Sequence, residues 1–159
     1  MRKRVISKTD MTSPSPDQDW LELGRAVVVE VTSEAEGHSI EEALLNDGTR
    51  GWRADVPGTQ TIRLLFDRPQ TIDVIRLVFR EEECERTQEF VLRWLPNGAG
   101  PWRDIVRQQW NFSPPNTMHE CEEYDVDLPS ATALELTIYP DISGGETRAS
   151  LESLQLSVR

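Results

Sequence analysis

Lysine is missing from everything beyond residue 20. From Trp20 to Arg159 the chain holds 13 arginines, 25 acidic residues and no lysine, a formal charge of −12, against −11 for the whole chain. A carboxylate surplus of that size excludes a non-specific nucleic-acid binder, because phosphate has to be neutralised by Lys and Arg. A neutral or cationic partner is electrostatically easier than DNA, RNA or an anionic membrane. Cysteine is nearly absent. Cys84 and Cys121 stand far apart, and neither lies in a Cys-x-x-Cys or Cys/His spacing, so they read as free thiols with no zinc site. His38 and His119 are the only histidines, too isolated for a nucleophilic triad. No apolar run approaches the roughly 18 residues of a membrane helix. The basic start, Arg2-Lys3-Arg4, lacks the apolar stretch of a secretory signal, so the expected location is the cytoplasm.

What is present fits one folded domain. The chain has 159 residues, is 37% hydrophobic and contains five tryptophans, which allows a full core but no second domain. Residues 1–19 read as a disordered tail, with Ser13-Pro14-Ser15-Pro16-Asp17 too polar and proline-rich to pack. Residues 20–159 form the domain. Val27, Val29 and Val31 alternate as a strand. Ser39-Ile40-Glu41-Glu42 has the spacing of a capping box, opening a short helix with Ile40, Ala43 and Leu44 on one face. Thereafter strand follows strand. Ile62, Leu64 and Phe66 alternate up to an Asp67-Arg68-Pro69 turn. Ile72 and Val74 share one phase while Ile75, Leu77 and Phe79 share the other, which predicts a bulge near Val74. Phe90, Leu92 and Trp94 form an inward row, a short strand follows at Trp102–Val106, and Tyr124, Val126 and Leu128 make another row up to Pro129-Ser130. Leu134, Leu136 and Ile138, then Leu154, Leu156 and Val158, complete the set. Seven or eight strands separated by turn signals predict an all-β fold, an antiparallel β-sandwich of jelly-roll type.

The segment Ala43-Leu44-Leu45-Asn46-Asp47-Gly48-Thr49-Arg50-Gly51-Trp52 carries more specific information. An Asp-Gly turn four residues before a tryptophan, ahead of a hydrophobic hairpin, resembles the discoidin-like (coagulation-factor type C, galactose-binding-like) family. Trp102 after Gly98-Ala99-Gly100-Pro101, and Ala149 with Glu152 opening the last strand, continue the resemblance over nearly the whole folded part. The paired terminal cysteines of many extracellular members are missing. The resemblance implies a β-sandwich that binds rather than catalyses, with Trp52, Trp94 and Trp102 in the core.

It also implies candidate sites. Asp47 and Glu152, with Thr49 and loop carbonyls, are the expected ligands of a possible structural calcium. The alternative, favoured here, is metal-free: Arg50 or Arg53 neutralises the carboxylates, since Asp47-Gly48-Thr49-Arg50 offers few oxygen ligands. No other cofactor is indicated. Arg80 and Arg86 close the two ends of the acidic stretch Glu81–Glu85, which corresponds to a ligand-binding loop of the family. With Arg53 they are the expected donors to ligand hydroxyls. Trp110, in Gln108-Gln109-Trp110-Asn111-Phe112-Ser113-Pro114-Pro115, is the expected exposed platform for a sugar ring. The plainer readings are a solvated charged loop and a tryptophan packed under its own loop. Asp125 and Asp127 read as the wet face of a strand, and no catalytic residue is assigned. The expected function is non-catalytic binding of a carbohydrate ligand; the alternative is an intracellular scaffold that binds a protein partner. A sugar module predicts a concave pocket, a scaffold a flat apolar patch.

Overall fold

A computed structural model describes residues 20–23, 27–45 and 50–158. The expected tail, 1–19, lies outside them, as do Asp47 and Thr49. In chain order the elements are β1 (Val27–Val31), α1 (Glu41–Leu44), β2 (Trp52–Arg53), β3 (Gln60–Arg80), β4 (Arg86–Pro96), β5 (Arg103–Phe112), β6 (His119–Tyr139), β7 (Ser150–Leu151) and β8 (Ser153–Val158). The ladder runs β1-β3-β6-β4-β5, β8 adds to β3, and β2 pairs with β7 as a separate ribbon. These pairings are antiparallel.

Two long strands make the sandwich. The first leg of β3 pairs with β1 and with the second leg of β6. Its second leg pairs with β8 and with the first leg of β6. The corner between legs falls where turns were expected, yet pairing continues through it. The register steps from Leu65↔Ala133 to Gln70↔Ala131 and then to Ile72↔Leu128. Pro69 and Pro129 have no N–H to give a ladder, and Ser130 takes φ 54°, so the extra residues bulge out and the sheet folds over itself. A further register shift between Ile72 and Val74 is the bulge that the apolar phase change predicted.

The two layers close on an apolar interior. Phe79 of one layer stacks on Phe90 of the other with ring centroids 5.3 Å apart. Ile62, Leu64, Ile75, Leu77, Leu92, Leu134 and Leu156 fill the rest, each worth about 1.5–3 kcal/mol when fully buried. Trp52 and Trp94 are in this core, as the resemblance implied. Trp102 is not: it is only partly buried, with the Arg63 guanidinium 5.8 Å from its ring. The helix, a single turn, cannot persist on propensity alone. It is held by Ile40, Ala43 and Leu44, all buried as their spacing predicted. The expected capping box does not form. Glu42 N–H bonds the carbonyl of Ser39 at 3.0 Å, and the Ile40 N–H donates to the Glu34 carboxylate at 2.9 Å.

Candidate functional site

Loops gather at the end of the sandwich where Gln60, Arg80, Arg86 and Tyr139 lie. Ser33 Oγ donates to Gln60 Oε1 (2.8 Å), and Trp52 Nε1 donates to the Ser33 carbonyl (3.0 Å), which fastens the 32–40 loop and β2 to this end. Glu81 N–H bonds the Met118 carbonyl (2.8 Å), bringing in the segment ahead of β6. Gly51 sets the approach of β2 to β7. At φ +66°, a Cβ on it would stand 2.7 Å from the Leu151 carbonyl oxygen and 2.9 Å from Glu152 Cα. Only glycine lets the chain turn there and still touch that backbone.

Between these pieces lies a cleft of about 240 Å³, lined by Arg50, Trp52 and Arg53 and by Glu81, Glu82 and Glu83. Arg80 is fixed within it. Its Nη2 pairs with Glu152 Oε1 at 2.8 Å, its Nε donates to His119 Nε2 at 3.1 Å, and Nη1 is 3.7 Å from Glu82. Arg50 and Arg53 are exposed, and among the described residues neither has an ion-pair partner. Trp52 borders the cleft but is 1% exposed, so it serves as floor rather than as a stacking surface.

Behind the cleft runs a buried polar row. Arg86, its side chain 0% exposed, donates from Nε to Glu81 Oε1 at 2.7 Å and from Nη1 to the Pro140 carbonyl at 2.7 Å. Its guanidinium also lies over the Phe112 ring, 4.8 Å from the centroid. Glu81 Oε2 accepts from the N–H groups of Glu83 and Cys84, so one carboxylate organises the whole turn after Arg80. Burial raises the Glu81 pKa, but those N–H groups and Arg86 outweigh it and the net shift is downward. Further in, Arg86 Nη1 reaches Gln88 Oε1, and Gln88 Nε2 donates to Glu120 Oε1 at 3.1 Å. Burial, then the charge of Glu122, pushes Glu120 up to about 8. A raised carboxyl can mark a catalytic acid. This one is fully enclosed and borders none of the clefts described here, so it is a core group.

The expected site residues thus separate. Arg53, Arg80 and Glu152 come together in the cleft. The partner of Glu152 is Arg80, not Arg50 or Arg53 as the metal-free reading had it. Arg86 sits at the end of the acidic turn as expected, but it is buried and pins that turn from beneath. Trp110 does not lie on a loop. It belongs to β5, opposite Gln88, and packs partly buried against the core. Asp47 and Thr49 lie outside the described residues; among those described, no three His, Cys, Asp or Glu side chains group as metal ligands. Both cysteines are free. Arg50, expected only as a neutraliser of the carboxylates, lines the site, and His119, read as isolated, reaches it through Arg80; it takes the fold to bring these separate segments together. Arg86 and Glu120 did carry a signal. They continue the inward phases of Gln88-Phe90-Leu92 and Tyr124-Val126-Leu128.

No family model matches the chain, and no curated protein matches it. Solved structures do match. A family 32 carbohydrate-binding module (CBM) from C. perfringens NanJ, in complex with galactose, superposes with a TM-score of 0.64 at 13% identity, covering 88% of this chain and 98% of that one. A second, CpGH89CBM32-5 from Clostridium perfringens in complex with GalNAc-β-1,3-galactose, gives 0.64 at 17% identity over 87% and 99%. Reduced XRCC1 bound to the DNA pol beta catalytic domain gives 0.57 at 15% identity over 89% and 97%. Strand order, corner strands and these superpositions agree: the chain has the galactose-binding-like, discoidin-type β-sandwich fold of the family 32 carbohydrate-binding modules.

Proposed function

We propose that this protein is a non-catalytic carbohydrate-binding module that holds a neutral sugar in the cleft lined by Arg50-Trp52-Arg53 and Glu81–Glu83. The observation that carries the reading is that two exposed guanidinium groups, Arg50 and Arg53, without an ion-pair partner among the described residues, line one concave site together with the exposed carboxylates of Glu82 and Glu83. A vicinal diol needs both: its oxygens accept from guanidinium N–H groups, and its hydrogens go to carboxylates. Arg80, held by Glu152 and His119, supplies a third donor direction without having to be ordered on binding. The likeness to modules solved with galactose and with GalNAc-β-1,3-galactose supports the same ligand class.

The scaffold alternative has the XRCC1 likeness behind it. It calls for a flat apolar patch, and the large exposed hydrophobics among the described residues are Val56 at 48% and Ile142 at 53%. Two side chains are a poor match to a protein-binding face. A glycan array of the purified chain, run with calcium and with chelator, tests the proposal. Reproducible saccharide hits are expected, with at least a tenfold loss of affinity in Arg53→Ala and no change in its melting temperature. An array blank in both arms overturns the reading.

A further inference from the structure

We infer that the binding site continues across the 81–86 turn into a second subsite, and that the ligand is a neutral oligosaccharide rather than a single sugar. This rests on the saccharide reading of the first cleft. The turn is a thin wall. Glu81, Glu82 and Glu83 line the first cleft, while Glu85 and Arg86 line another immediately beyond, bounded further by Asn111, Asp141 and Ser143. The second cleft has about 490 Å³ against about 240 Å³ for the first. Ligand pockets usually run from roughly 300 to 1,000 Å³, so the first cleft alone is small and the pair is not.

The wall between the two clefts is held in shape before any ligand arrives. The fully buried Arg86 side chain donates from Nε to Glu81 and from Nη1 to Gln88 and to the Pro140 carbonyl, so the turn does not have to be ordered on binding. The rim selects against anionic sugars. Glu85 and Asp141 are both carboxylates, and the Ser143 hydroxyl and N–H, donating to Asp141 Oδ1 at 2.7 and 3.1 Å, lower its pKa and keep it charged. Hydroxyl hydrogens can donate to these groups, whereas a uronate carboxylate is repelled.

The test uses the full chain and β-1,4-galactan fragments of one to four units, with affinity read by calorimetry. Affinity should rise roughly tenfold between one unit and three, the gain of two or three added hydrogen bonds. Asn111→Ala with Ser143→Ala, both exposed positions, should abolish that gain and leave single-unit binding as it was. Equal affinity for all lengths, or an undiminished gain in the double variant, overturns the subsite while the first cleft stands. Failure of every fragment to bind removes the first cleft's saccharide reading and the subsite with it.

Discussion

Replacing Glu120 by Gln should make this protein more stable at neutral pH. Glu120 is enclosed in the sandwich, accepts one hydrogen bond from Gln88, and has a second oxygen, Oε2, with no partner among the described residues. Its folded pKa of about 8 stands above the ordinary value of 4.5. Between those values the unfolded chain is ionised at this position and the folded chain is protonated, so folding takes up a proton. The cost to stability is absent below about pH 4.5, grows by about 1.4 kcal/mol per pH unit, and levels off above about pH 8. At pH 7 it amounts to about 3 kcal/mol. Glutamine keeps the acceptor for Gln88 and puts an amide where the protonated acid has its O–H, so shape and hydrogen bonding hardly change while the proton uptake disappears. The variant should melt roughly 6–12 °C higher at pH 7. Urea unfolding of both proteins at pH 4, 5, 6, 7 and 8 is the assay. The curves should nearly coincide at pH 4 and separate steadily toward pH 8. A stability difference that stays flat with pH, or a less stable variant at pH 7, refutes the reasoning.

Gly51→Ala should cost more than the roughly 1–2 kcal/mol of a left-handed residue, because its Cβ meets the Leu151 carbonyl; denaturation should show the loss, and a change under 0.5 kcal/mol would sink the account of how β2 meets β7. Arg86→Gln leaves the Glu81 carboxylate without its buried cation, and should lower stability by about 3–5 kcal/mol in the same assay. If it proves harmless, Arg86 does not pin the turn. Trp110→Ala should lower the free energy of unfolding by about 2 kcal/mol, and with it the urea midpoint, through lost packing on the core. Loss of saccharide binding with an unchanged midpoint would instead return Trp110 to the role of platform.

Much of the fold was readable. The apolar alternation at Ile62-Leu64-Phe66 and Phe90-Leu92-Trp94 gave real strands, and the phase change at Val74 gave a real bulge. Pro69 and Pro129-Ser130 were read correctly as breaks in the pattern. That the ladder crosses both breaks depends on the two facing each other, which neither segment reveals alone. Trp110 shows the converse. It stood as a candidate exposed platform ahead of a proline-ended loop, with packing as the plainer reading; pairing with β4 sets it in a strand and packs it partly onto the core. The capping spacing at Ser39 and Glu42 failed for the same reason. Glu34, brought near by the β2 ribbon, reached the Ile40 N–H instead.

The sequence by itself determined the class of the fold and its charge, because period-two burial and carboxylate excess are properties of each segment regardless of its neighbours. It also placed Arg80 and Arg86 at the ends of an acidic turn. Only the tertiary structure decided that these two arginines do different work. Residue 80 ends a strand at the cleft, where Glu152 and His119 hold it; residue 86 continues an inward phase and is closed over by Phe112 and Pro140. The partners come from chain segments more than 20 residues away, and long-range packing alone brings them within hydrogen-bonding distance.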